Sequence, residues 1–98
     1  MSESISERDN YLADISVRAM ETAEKAQRKF PQPNYTALKV AEEAGEVIKA
    51  AVHYAEGRET WENVEAESIQ AIAMIFRLLV EGDQKNGIIP PVRAKADT

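Results

Sequence analysis

Two prolines and two glycines cut this chain into three long stretches of helical periodicity. Pro31 and Pro33 each lack an amide donor and restrict the residue before them, so a helix ends there. Gly57 and Gly82 suit the position just past a helix end, where a positive φ is often required. Between these marks the apolar residues recur at intervals of three and four. The spacing predicts a first helix over 5–29, with Tyr11, Leu12, Ile15, Ala19, Met20, Ala23 and Ala26 on its apolar side. Ser4-Ile5-Ser6-Glu7 supplies a capping-box spacing at its start. Asn34 is the expected cap of a second helix over 35–56, where Ala37, Val40, Ala41, Ala44, Val47, Ile48, Ala51 and Ala55 share a narrow face. Thr60 is the expected cap of a third, over 61–81, with Val64, Ile69, Ile72, Ile75, Phe76 and Leu79 as its apolar face. The remainder, 83–98, contains Pro90-Pro91 and is expected to be an irregular tail.

The short Gly57–Thr60 connection makes the second and third helices an antiparallel hairpin. A hairpin with one further helix leaves apolar surface without a neighbour. The expectation is therefore a single all-α domain over 1–98. Its four-helix-bundle core would be completed by self-association, as a homodimer or homotetramer. A chain of 98 residues can bury a core, but a thin one.

Charge narrows the partners. Lys and Arg number 12 against 17 Asp and Glu, giving −5, the wrong sign for a protein that displaces counterions from a nucleic-acid polymer. No cysteine is present, which excludes disulfides, thiolate metal sites and cysteine nucleophiles. No apolar run is long enough to span a bilayer, so no membrane partner is expected. The polar, acidic start of the chain is unlike a secretory or transit peptide, and a cytoplasmic location is the expectation.

The residues that could carry chemistry are acids. Glu42, Glu43 and Glu46 sit at i, i+1 and i+4 of the second helix, and Glu67 with Gln70 forms an i, i+3 pair on the third. At 3.6 residues per turn, Glu42 and Glu46 lie about 40° apart and Glu43 and Glu46 about 60° apart. In an antiparallel hairpin the two groups can face each other across a groove. Acids gathered in this way repel, which makes a hard divalent cation a natural partner. Spacing alone equally describes a solvated helix face opposite the alanines. Glu42 and Glu43, however, have no Lys or Arg at i+4, as a helix-stabilising pattern would. Glu62 and Glu65 repeat the spacing toward the apolar side. Lys39, Lys49, Arg77 and Lys85 are candidate phosphate contacts, with Lys39 and Arg77 foremost; for Arg77 the alternative is an ion pair with Glu81 at i+4. Tyr35, Tyr54 and Trp61 could stack on a base or simply pack at helix ends. His53 follows Glu46 by seven residues and reads as a lone surface histidine.

Ala37-Leu38-Lys39-Val40-Ala41-Glu42-Glu43-Ala44-Gly45-Glu46-Val47 resembles the first metal-binding helix of the MazG-like all-α nucleotide pyrophosphohydrolases, whose pattern is E-E-x-x-E. Glu67-Ser68-Ile69-Gln70-Ala71-Ile72-Ala73-Met74-Ile75-Phe76-Arg77 resembles their second motif, E-x-x-D, except that Gln70 stands in place of the last acid, as in phage and prophage variants. The resemblance implies hydrolysis of a nucleoside triphosphate, ribo or deoxy, to the monophosphate and pyrophosphate with Mg²⁺ or Mn²⁺. It implies Glu43, Glu46, Glu67 and Gln70 as metal ligands and Glu42 as the base that activates water. Gln70 keeps an oxygen donor but removes a charge, so a member that binds nucleotide or metal without turnover is the alternative, beside a helical interaction module with no site.

Overall fold

The computed structural model describes residues 3–91 and is all-α. Three helices, α1 (Glu3–Lys29), α2 (Thr36–Ala55) and α3 (Trp61–Glu81), are followed by a single 3₁₀ turn, Gln84–Asn86. α3 is the central element: it packs against both α1 and α2, which scarcely meet each other. Ile15 and Ala19 of α1 bury against Ile69 of α3, with Ile72 and Phe76 closing over them. α2 and α3 form the expected hairpin.

The local stop signals act as their chemistry demands. Gly57 follows the end of α2 at φ 76°, and Thr60 accepts a hydrogen bond from the Asn63 amide at 3.2 Å to start α3. α1 is already helical from Glu3, so Ser4 lies inside the helix and not at its cap. At the start of α2, Asn34 is not the cap. Its Oδ1 accepts from the Tyr35 amide, and the N-cap position falls on Tyr35, whose side chain caps nothing. The first-turn donor at Ala37 is met by Asp83 Oδ2 at 2.8 Å, supplied from beyond α3.

That bond is one thread of a polar knot tying the ends of all three helices together. Gln32 donates to Thr36 Oγ1, the Glu81 carboxylate and the Gly82 carbonyl, and its Oε1 accepts from the Asn34 and Gln84 amides. Asp83 also accepts from the Asn86 amide and side chain. Thr36 and Asp83 are both fully buried. Burial opposes the Asp83 carboxylate, but the hydrogen bonds from Asn86 and from the Ala37 backbone outweigh it and hold the pKa below its ordinary value. The segment after α3 is thus not irregular from residue 83 onward. Asp83 and Ile88 exchange two backbone hydrogen bonds of 2.9 Å around the 3₁₀ turn. Residues 92–98, the rest of the expected tail, lie outside the described residues.

The apolar faces need correction. Of the eight residues expected to share one face of α2, Ala37, Val40, Val47 and Ala51 are half-buried, while Ala41, Ala44, Ile48 and Ala55 are exposed. On α3, Ile75 and Leu79 are exposed, as are Tyr11, Leu12 and Met20 on α1. The cause is that α3 has two neighbours and α1 and α2 have one each, so three helices cannot cover every stripe they carry.

Candidate functional site

The sequence along the packed side of α2 places a carboxylate where an apolar residue would be expected. Thr36, Val40, Glu43, Val47 and Ala50 recur at intervals of three and four and are buried or half-buried. Glu43 therefore sits among hairpin-facing residues, whereas Glu42 and Glu46 are exposed, both on the same side of it, about 100° and 60° around the helix. Burial raises the Glu43 pKa; the nearby charges of Glu67, Glu42 and Glu46 raise it further, and Lys39 partly offsets them. Two acids of α2, Glu42 and Glu46, and one of α3, Glu67, thus act on the Glu43 carboxyl. Half-buried Glu67 supplies the α3 side.

Two cavities lie beside these acids, and Glu43 lines neither. One, of about 200 Å³, lies between the helices and is lined by Glu46, Lys49, Ala50, His53, Glu59, Asn63 and Glu67. The other, of about 250 Å³, is lined by Tyr35, Leu38, Lys39 and Glu42. Glu46 and Glu67 therefore share a cavity with each other but not with Glu42. Gln70 is exposed and lines neither. Among the described residues no three His, Asp or Glu side chains are placed to close on one metal ion.

His53 is half-buried in the wall that also holds Glu46 and Glu67, not a lone surface residue. Its seven-residue spacing from Glu46 was the available signal. Asn63 and Glu59 had a weaker one, at i−4 and i−8 from Glu67.

Arg77 realises its structural alternative. Only 2% exposed, it donates from Nε and Nη2 to the two Glu81 oxygens at 2.9 and 2.7 Å, and from Nη2 to the Phe30 carbonyl at 2.8 Å. A longer contact of 3.4 Å runs from Nη1 to the Ala26 carbonyl. Its guanidinium caps the end of α1 and is fully engaged by Glu81 and the α1 carbonyls. Lys39 is exposed, its Nζ 5.9 Å from the Phe30 ring centre. The aromatics pack at helix ends: Tyr54 meets Trp61 edge-on at 5.2 Å, and Trp61 donates to the Tyr11 hydroxyl. Tyr11 in turn donates to Glu65 at 2.6 Å, so Glu65 of the second acidic register ties α3 to α1.

Protein-family models, curated proteins and solved structures were compared with the chain, and none matches it. Among the described residues no helix is long and apolar enough to cross a membrane.

Proposed function

We propose that this chain is a MazG-like, divalent-metal-dependent nucleoside triphosphate pyrophosphohydrolase. It converts NTP or dNTP and water to the monophosphate and pyrophosphate, as a homodimer or homotetramer. The observation that carries this is Glu43: a carboxylate lodged in the packed side of α2, its pKa raised by burial and by Glu67, Glu42 and Glu46. A fold gains nothing in stability from such a grouping unless a cation joins it.

Carboxylate and amide oxygens are the donor set that Mg²⁺ and Mn²⁺ take. Glu43, Glu46 and Glu67 would hold the ion with the Gln70 amide oxygen, after side-chain rotation brings them to a common point. Bound there, it would neutralise triphosphate charge and polarise water. Exposed Glu42 would accept the proton of the attacking water. Lys39, on the Glu42 side, would meet a phosphate oxygen. Arg77 has no part in this scheme.

The second reading is a binding protein without turnover. Gln70 favours it, because it is exposed, neutral and outside both cavities. Pyrophosphate release from a panel of ribo- and deoxynucleoside triphosphates, with Mg²⁺ and with Mn²⁺, separates the two. Release that vanishes in Glu43→Ala supports the enzyme. Metal binding without release from any nucleotide supports the binding protein. Neither binding nor release returns the acids to a solvated face.

A further inference from the structure

We infer that the end of the molecule holding the polar knot is a docking surface for an acidic segment of another protein, one with carboxylates set around a large apolar side chain. Lys29, Phe30, Tyr35, Leu38, Lys39 and Lys85 carry it. The fold gathers them from the end of α1, the start of α2 and the turn after α3. The Lys29 and Lys39 ammonium groups lie 5.5 and 5.9 Å from the centre of the Phe30 ring, and that of Lys85 lies 5.6 Å from the centre of the Tyr35 ring. The apolar parts are open to solvent: Phe30 is 53%, Tyr35 50% and Leu38 62% exposed. Tyr35 occupies the N-cap position of α2, yet its side chain caps nothing.

Charge selects the occupant. Arg8, Arg18 and Arg58 each hold a neighbouring acid, Asp9, Asp14 and Glu56 in turn. Among the described residues Arg28, Lys29, Lys39 and Lys85 form no such ion pair. Of the acids at this end, Glu81 is engaged by Arg77, and buried Asp83 accepts from Ala37 and Asn86. Glu42, beside Lys39, is the exposed one. A chain of net charge −5 therefore turns a local surplus of positive charge outward here. An ammonium group resting over an aromatic ring keeps N–H donors free for a carboxylate. The cavity of about 250 Å³ walled by Tyr35, Leu38, Lys39 and Glu42 receives the apolar side chain beside it.

Other occupants fit less well. A second copy docking through the same end would set lysine on lysine. A nucleic-acid strand carries charge at every phosphate, and a chain of −5 repels it as a whole while a few ammonium groups release few counterions. A lipid surface would press Glu42 against anionic headgroups together with the lysines. A peptide places its carboxylates only where the lysines stand. Lys39 belongs to this surface and is also the proposed phosphate contact, so bound peptide and nucleotide should compete. That consequence alone rests on the function proposed above; the surface itself does not.

The test is selection from a displayed library of random peptides on the full chain, followed by fluorescence anisotropy with a labelled selected peptide. Selected peptides are expected to carry Asp or Glu beside Phe, Leu or Trp. The double variant Lys29→Gln/Lys85→Glu is expected to weaken their binding by at least about tenfold, and Tyr35→Ala by a similar factor, with unchanged far-ultraviolet circular dichroism. All three side chains are exposed, so the fold is expected to survive both changes. Lys49→Gln, which removes a charge from the interhelical cavity instead, is expected to leave binding unchanged. Peptides without acidic enrichment, or acidic peptides that bind the variants as well as the wild type, overturn the inference. Enrichment of no peptide overturns it equally. So does tighter binding of a labelled oligothymidylate, or of vesicles containing phosphatidylserine, through the same lysines, which assigns this end to a nucleic acid or a lipid surface. None of these readouts involves metal or a nucleoside triphosphate, so the surface and the proposed chemistry fail or stand separately.

Discussion

Replacing Arg77 with methionine tests whether this residue is structural, as its surroundings demand. The side chain is 2% exposed and its partner Glu81 9%. Its guanidinium makes two hydrogen bonds to that carboxylate and one of 2.8 Å to the Phe30 carbonyl at the end of α1. Methionine matches the aliphatic stem but leaves a buried carboxylate with only the 3.2 Å bond from Gln32, and leaves the Phe30 carbonyl without its arginine donor. Removing one partner of a buried ion pair costs about 3–5 kcal/mol. In a domain of this size each kcal/mol lowers Tm by roughly 4–8 °C, so the fall should be on the order of 20 °C. Urea unfolding at 25 °C should show the same loss at constant m-value. The double variant Arg77→Met/Glu81→Met should recover part of it, because it orphans no charge. A single variant within about 1 kcal/mol of wild type, the range of a surface substitution, would refute the reasoning. So would a double variant as damaged as the two single ones summed. If triphosphate turnover is observed, a stable Arg77→Met with only a raised KM would return Arg77 to the phosphates.

Glu43→Gln should raise Tm at pH 8, with the gap closing near pH 4, as thermal scans across pH will show. The carboxyl's folded pKa lies above its unfolded value, so what Glu43 contributes is fully present in acid and lost as pH rises through the folded pKa. Asp83 has the opposite sign: its depressed pKa gives stability that is present above the unfolded value and lost as pH falls, so Asp83→Asn should flatten the acid side of the same profile. Gly82→Ala should cost about 1–3 kcal/mol in urea titration. Gly82 has φ 75° and ψ −151°, and a Cβ there would strike the Ile88 carbonyl and, at 2.6 Å, Pro90. Gln70→Asp should tighten Mg²⁺ binding in calorimetry, and an unchanged isotherm would remove Gln70 from the donor set.

What the sequence made legible was local. Pro31, Gly57, Thr60 and Gly82 act through their own backbone chemistry, and the helices end within two residues of where these marks put them. The α2 cap was not legible, because Asp83 arrives from 46 residues away once α3 has turned back. The same fold-back turns Asp83–Ile88 from tail into a knot. In the candidate site the neighbourhood of Glu42, Glu43 and Glu46 on α2 was legible from helical spacing, which fixes which residues of a helix are neighbours. Which side of α2 meets α3 was not. The helix carries two apolar stripes, and periodicity cannot rank them.

The structure ranks them in an order that simple burial would not choose. The stripe turned to α3 contains Thr36 and Glu43, and the stripe left in water contains Leu38, Ile48 and Val52. Burying a Leu or Ile fully is worth about 1.5–3 kcal/mol, whereas half-burying an acid is unfavourable, as the raised Glu43 pKa records. A single chain selected only for its own stability would have the helix turned the other way. A ligand held by Glu43 and Glu67, as proposed above, would account for the observed choice. Glu43 must face Glu67 if the acids are to act on one ligand, and that fixes the rotation of α2 against α3. The better stripe is then displaced outward by the same rotation. The inward-turned Glu43 and the outward apolar stripe are in this way two consequences of one helix orientation. A substitution such as Glu43→Leu, which removes the one ionisable side chain from the inner stripe, should therefore stabilise the hairpin, read as a raised Tm in thermal scans at neutral pH.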